Sequence, residues 1–332
     1  MNFAVLGSGA WGTALALHLH RCGHTVTLTS RRLEHAAAMA SERENREYLP
    51  GAAIPADLQI GHEIKPALME ADVVVLAPPA KGLRDLCEQI AETRDSSWGI
   101  GAVVTVCKGL DPRTLQLPVE VVREVLPFHP AGILSGPTHA GSLAGGLPAA
   151  AVLAFEEDTP WTRELQAAWS NEIFRLYFSD DPTGVCLGGS LKNVYAIASG
   201  CCDGLGLGDN AKAALLTRSH AELVEVGAAL GGRRETFSGL SGIGDLVATS
   251  YGAWSRNRTF GEDLARGKPV REQLEGRRTV VEGALSVRWY RERCRKMDLS
   301  TPILDEVYAL VFEDKEPARA LRDLMTRRLK AE

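Results

Sequence analysis

The chain has 332 residues, 45% hydrophobic and 24% charged, with a formal net charge of −5. That length suits about two domains with a sizeable core, and the acidic balance argues against bulk attraction to nucleic acid or anionic membrane. No apolar run is long enough to cross a bilayer, Met1 leads straight into a core strand with no signal peptide before it, and seven cysteines without a CxxC pair fit reduced thiols in a cytoplasmic protein.

Phe3-Ala4-Val5-Leu6 is a short apolar run of strand character, and Gly7-Ser8-Gly9-Ala10-Trp11-Gly12 follows at once. Thr13 to Cys22 then reads as a helix that stops at Gly23. Strand, glycine turn and helix in this order form the context that a dinucleotide fingerprint requires. Gly7 permits the tight turn, Gly9 lets backbone approach a pyrophosphate, and Gly12 lets helix and strand pack closely. The helix N-terminus adds unpaired N–H groups and a positive dipole end. A purely structural turn is the weaker reading, because both flanking elements are in place.

Thr25–Thr29 reads as the second strand and ends at Ser30-Arg31-Arg32. An NAD site would place an acidic residue there for the ribose 2′-hydroxyl. Two arginines suit a 2′-phosphate better, so NADPH is favoured and NADH is the alternative. Leu33 to Glu47 reads as a polar helix, ended by Tyr48-Leu49-Pro50-Gly51. A short strand at Leu58–Ile60 and a short helix at Pro66–Glu70 follow. Ala71–Ala77 is a strongly apolar strand stopped by Pro78-Pro79, and Leu83–Ala91 is helical. Ala102–Cys107 is another apolar strand with Lys108-Gly109 at its C-terminal edge. Val119–Leu126 is helical, Ile133-Leu134 runs into Ser135-Gly136-Pro137-Thr138, and Ala149–Ala154 is a strand. Asp158 with Pro160 marks a helix start for Trp161–Trp169, and Phe174–Phe178 closes the series. Continuous apolar strands between helices predict a doubly wound α/β sheet buried on both faces.

The pattern changes near Asp180, which places the boundary between a dinucleotide-binding domain over 1–179 and an all-α domain over 180–332. Helices are expected at Leu187–Cys201, Ala211–Leu230, Arg256–Ala265, Thr279–Lys296, Thr301–Val311 and Pro317–Leu329. Within Gly184–Val194, the pair Gly188-Gly189 allows close approach of something bulky. Lys192 sits among Leu191, Val194, Ala196 and Ile197. A partly desolvated lysine there has a lowered pKa and exchanges protons near neutrality; a snorkelling lysine stands level with it on spacing alone. Gly239–Leu246 reads as a glycine-rich loop whose Asp245 orients a lysine or a substrate hydroxyl, or caps a helix. Ser255 is a fair N-cap for the next helix. Arg256, beside Asn257 in its first turn, is a cation that opposes the helix dipole unless an anion binds there. A phosphate is the chemical reading, and an internal Arg–carboxylate pair the plain one. No zinc-type spacing, G-x-S-x-G or Walker loop is present.

These motifs together resemble the bacterial NAD(P)-dependent glycerol-3-phosphate dehydrogenase family, in family order over nearly the whole chain. The matching stretches are Gly7–Ala16, Lys108–Leu110, Ser135–Thr138, Gly184–Val194, Gly239–Leu246, Ser255–Arg258 and Val280–Gly283. The resemblance implies a Rossmann-type sheet followed by a helical domain for substrate binding and catalysis. It implies reversible hydride transfer reducing dihydroxyacetone phosphate to sn-glycerol 3-phosphate for glycerophospholipid synthesis, with Lys192 as general acid/base. Lys108, Gly136, Thr138, Lys192, Asp245, Ser255, Arg256 and Asn257 match substrate positions. Besides Gly7, Gly9 and Gly12, the residues Ala10, Trp11, Arg31, Arg32, Tyr48, Lys108, Ala140, Arg256, Val280 and Glu282 match cofactor positions. It implies a cytoplasmic enzyme with no nucleic-acid partner and no membrane insertion, and homodimers are common in such families. The chain departs from the family at Ala10 (commonly Ser), Pro79-Ala80 (Ser-His), His139 (Phe), Cys186 (Gln) and Ser190 (Ala). The rivals are a related two-domain hydroxyacid dehydrogenase of the 6-phosphogluconate plan and a non-catalytic dinucleotide sensor.

Overall fold

The structure, a computed structural model, describes every residue except 96, 275–280, 330 and 332. The chain divides into two compact units, Met1–Cys186 and Leu187–Glu332.

The first unit is built on β1 (Asn2–Leu6), α1 (Ala10–Arg21), β2 (Thr25–Thr29), α2 (Leu33–Glu42), β3 (Glu44–Asn45), β4 (Leu49–Ala53), β5 (Gln59–Gly61), α3 (Ile64–Met69), β6 (Val73–Leu76), α4 (Leu83–Thr93), β7 (Ala102–Thr105), α5 (Pro118–Val125), β8 (Ala131–Ser135), α6 (Ala140–Ala144), β9 (Ala149–Ala154), α7 (Pro160–Ala168) and β10 (Phe174–Ser179). Eight strands form one sheet in the order β10-β9-β8-β7-β6-β1-β2-β5. The doubly wound expectation holds from β5 across to β8, where every neighbouring pair is parallel. In this sheet β8 and β9 run antiparallel, and β9 pairs with β10 in parallel. The central strands are apolar and wholly buried, as burial on both faces demands.

The chain winds outward from β1 through β2 to β5, then returns to place β6 on the other side of β1. The point of reversal, where such sheets bind ligands, lies beside the glycine turn. The turns after β1, β2, β6, β7 and β8 share its edge of the sheet.

Two expectations for this unit need correction. The helix expected over Leu33–Glu47 ends at Glu42, with Arg43 left-handed at φ 51°. A hairpin of β3 and β4 follows, because the Asn45 side chain turns inward to bond Ser8 O and Thr13 Oγ1 rather than continuing the helix. The start of α7 is capped by Thr159, whose hydroxyl accepts from Thr162 N at 3.2 Å. Asp158 pairs with Arg163 instead.

The second unit is helical: α8 (Pro182–Gly204), α9 (Gly208–Ala229), α10 (Arg234–Phe237), α11 (Asp245–Tyr251), α12 (Arg256–Ala265), α13 (Val270–Leu274), α14 (Glu282–Lys296), α15 (Pro302–Phe312) and α16 (Pro317–Met325). Thr279, the expected start of α14, lies outside the described residues. The expected glycine loop at Gly239–Leu246 is a single π-helical turn, Leu240–Gly244, running directly into α11. A bond from Gly244 N to Gly239 O at 3.2 Å marks that wider turn.

Candidate active site

The glycine turn fits the group its sequence suggests. A Cβ on Gly7, at φ 122°, would lie 2.7 Å from the backbone of Ala77, and one on Gly12 would lie 1.9 Å from Gly7 O. Both glycines are therefore required by packing. Gly9 meets nothing within 4 Å. Its face is open, as backbone that approaches a pyrophosphate must be. Gly9 is also the N-cap of α1 and supplies no side-chain cap, so the N–H groups of Ala10, Trp11 and Gly12 point out of the helix start.

Behind the turn lies a buried polar network that no sequence motif signals. Asn45 Nδ2 donates to Ser8 O at 2.9 Å and to Thr13 Oγ1 at 2.8 Å. Asn45 Oδ1 accepts from Tyr48 N at 3.2 Å and faces His35 Nε2 at 3.1 Å. With Asn45 fixed in this way, His35 carries its proton on Nε2. Its Nδ1, the acceptor, lies within hydrogen-bond reach of the hydroxyls of Ser8 and Ser30, at 3.2 and 3.0 Å. The Tyr48 ring stands edge-on to His35, with centroids 5.4 Å apart. These residues lie far apart in sequence, so only the fold reveals the link.

At the ends of β7 and β8, Lys108 Nζ donates to Gly136 O at 2.9 Å, and Thr138 Oγ1 donates to the same oxygen at 3.2 Å. The structure thus joins three expected substrate residues at the ligand edge of the sheet. A Cβ on Gly136 would fall 2.9 Å from Ala151 Cα. Next along, His139 caps α6, its Nδ1 accepting from Ser142 N at 3.3 Å, and Ala140 is the first residue of that helix. Burial pushes the His139 imidazole below its usual range. Cys186 is buried, which pushes its thiol up.

In the second unit, Lys192 is only 4% exposed and Asp245 not at all. Lys192 Nζ donates to Asp245 Oδ1 at 2.8 Å and to Thr249 Oγ1 at 2.5 Å. Thr249 Oγ1 in turn donates to Asp245 Oδ1 at 3.2 Å. The expected apolar setting for Lys192 is therefore corrected: a carboxylate and a hydroxyl face the ammonium and offset its desolvation. Snorkelling is excluded by the burial. Thr249 escapes a reading of the sequence because it lies one helical turn after Asp245, a spacing visible only once Asp245 starts a helix. The close approach expected at Gly188 is present, and it is made by the chain itself. A Cβ there would sit 2.5 Å from Ser241 O, so the π-turn, not a ligand, fills that space.

The first turn of α12 completes this group. Ser255 caps it, accepting from Arg258 N at 3.3 Å. Asn257 Nδ2 donates to Asn193 Oδ1 at 2.9 Å, while its Oδ1 accepts from Gly283 N at 2.9 Å. These bonds tie α12 to α8 beside Lys192 and to the start of α14, where Glu282 stands. Arg256 is exposed and has no carboxylate partner among the described residues. The plain reading of Arg256 as half of an internal ion pair therefore fails. Val280 lies outside the described residues. Among the described residues no group of three His, Cys, Asp or Glu side chains is placed to hold a metal ion.

Comparison with known proteins decides the family. The N-terminal profile of NAD-dependent glycerol-3-phosphate dehydrogenase matches residues 2–160, and the C-terminal profile matches residues 181–322. The chain belongs to the NAD-dependent glycerol-3-phosphate dehydrogenase family. Glycerol-3-phosphate dehydrogenase (NAD(P)+) of Thermus thermophilus is 46% identical, covering 100% of both chains. The protein of the same name from Nitrosomonas eutropha is 42% identical over 100% of this chain and 99% of its own. The crystal structure of the Coxiella burnetii glycerol-3-phosphate dehydrogenase superposes with a TM-score of 0.90 at 34% identity, covering 98% of this chain and 99% of that one. The likeness to that enzyme thus extends over both the sheet-bearing and the helical part of this chain.

Proposed function

We propose that the chain is an NAD(P)-dependent glycerol-3-phosphate dehydrogenase that reversibly reduces dihydroxyacetone phosphate to sn-glycerol 3-phosphate. The observation that carries this reading is the buried Lys192–Asp245–Thr249 group, with the uncommitted cation Arg256 on a helix fixed to the same α8.

A bound nicotinamide cofactor supplies the hydride to C2 of the substrate, or takes it in the reverse direction. The open Gly9 face and the α1 N-terminus would hold its pyrophosphate. Arg256 and the N–H groups of α12 would hold the substrate phosphate. As hydride reaches C2, negative charge develops on the carbonyl oxygen. Lys192 Nζ gives that oxygen a proton, leaving a neutral amine beside the Asp245 carboxylate. In the oxidative direction the amine takes the hydroxyl proton, and Asp245 stabilises the ammonium that forms. Thr249 fixes the Nζ position. Lys108 and Thr138, joined through Gly136 O, match substrate positions of the family.

Arg31 and Arg32 favour NADPH, with NADH as the alternative. We further place the enzyme in the cytoplasm, in glycerophospholipid synthesis, as a homodimer, the assembly common in such families. No helix of the described residues is long and apolar enough to cross a membrane. The test is oxidation of NADPH and NADH with dihydroxyacetone phosphate. Turnover with it supports the reading; turnover only with carboxylate-bearing oxo acids overturns it.

A further inference from the structure

The cation pair at the end of β2 is not what its sequence suggests. Arg31 is exposed, with no carboxylate partner among the described residues. Arg32, the N-cap residue of α2, is ion-paired with Glu47. The guanidinium holds the Glu47 carboxyl below its usual range. Glu47 lies in the turn between β3 and β4, two residues after the wholly buried Asn45. Asn45 bonds Ser8 O, Thr13 Oγ1 and Tyr48 N. The turn carrying Glu47 is thus tied to the glycine turn through Asn45, which also holds Tyr48 N on the turn's far side, and this anchoring brings the Glu47 carboxylate to Arg32 at the end of β2.

The consequence concerns charge. Two arginines and the Glu47 carboxylate sum to about +1, and Glu34 adds a further negative charge near Arg32, facing a 2′-phosphate that carries close to two negative charges near neutrality. A 2′-phosphate must displace Glu47 from Arg32, or share Arg32 with it and accept the repulsion. A ribose 2′-hydroxyl meets neither obstacle, and it can donate to a carboxylate at this edge.

We propose that Glu47 is a specificity-determining residue for the cofactor: its carboxylate occupies Arg32, restrains NADPH preference, and lets the enzyme take NADH as well. The proposal rests on reading the glycine turn as the NAD(P) site.

The test is a fluorescence titration of the full chain with NADPH and with NADH, without substrate, comparing wild type with Glu47→Gln. The expected result is about a fivefold tighter Kd for NADPH and a matching rise in the NADPH-to-NADH affinity ratio. Arg32→Ala is expected to weaken NADPH binding more in the Glu47→Gln background than in wild type, since Glu47 no longer occupies the guanidinium. An unchanged ratio, a shift toward NADH, or equal effects of Arg32→Ala in both backgrounds would overturn the proposal. Failure of the wild type to bind either dinucleotide would overturn the site reading and the proposal together. Binding without reduction of dihydroxyacetone phosphate would overturn only the substrate assignment, and the titration would still decide the role of Glu47.

Discussion

The role proposed for Arg256 rests on the electrostatics of one helix end. A cation in the first turn of a helix opposes the dipole, so an arginine placed there calls for an anion. The fold leaves it exposed without a carboxylate among the described residues. Arg256→Ala is expected to raise KM for dihydroxyacetone phosphate about 100-fold, the worth of a charge-assisted bidentate contact. Thermal stability should stay within about 0.5 kcal/mol of wild type, as for other exposed positions. A KM unchanged in the variant would move the phosphate elsewhere. Lys192 is half legible in the sequence. Its place in a helix is clear and Asp245 is open to a lysine-orienting role, but Thr249 is not visible, because both partners arrive from more than fifty residues away. Glu47 is illegible as a site residue, since the sequence reads smoothly as helix through it.

At the scale of elements, most strands and long helices follow from apolar runs and caps, and errors gather where side chains compete with backbone. Asn45 ends α2 early by bonding the glycine turn. The glycines of Gly239–Leu246 suggest a loop, yet their small size serves a π-turn packed against α8. Where α8 crosses α12, a Cβ on Gly200 would lie 1.9 Å from Arg258 O, and one on Gly261 2.0 Å from Ile197 O. This near-contact of backbones fixes the start of α12, with Arg256, against the helix of Lys192. Helix propensity alone predicts that Gly261→Ala stabilises by about 1 kcal/mol. The geometry predicts the opposite sign, a loss of about 2 kcal/mol or more from overpacking, with a higher substrate KM as α12 shifts. Denaturant unfolding decides between them, and a stabilised variant would refute the close crossing.

At the scale of the whole molecule, the family and the order of its parts are readable because the motifs span the chain. The buried polar anchors are not, and one of them sets a pH dependence of stability. Glu222 on α9 accepts from Ile303 N at 3.0 Å and Leu304 N at 2.8 Å at the start of α15, and from Tyr195 of α8 at 3.4 Å. Burial pushes its carboxyl up to about 7. Between pH 4.5 and 7 the native state therefore holds a proton that the unfolded chain has lost. The stabilisation is complete below pH 4.5 and lost as pH rises through 7, about 3 kcal/mol in all. Glu222→Gln, a neutral mimic of the protonated form, should flatten the fall in Tm between about pH 5 and 7.5. A variant with the wild-type slope would exclude Glu222 as its source.

In the proposed chemistry, Lys192, held by Asp245 and Thr249, moves the proton of the hydride transfer. The most direct test compares wild type with Lys192→Ala in steady-state reduction of dihydroxyacetone phosphate, alongside NADPH binding by fluorescence. The expected result is a loss of kcat of about a thousandfold or more with cofactor affinity retained. A variant that keeps substantial kcat while binding the cofactor normally would contradict the role of Lys192 and the mechanism built on it.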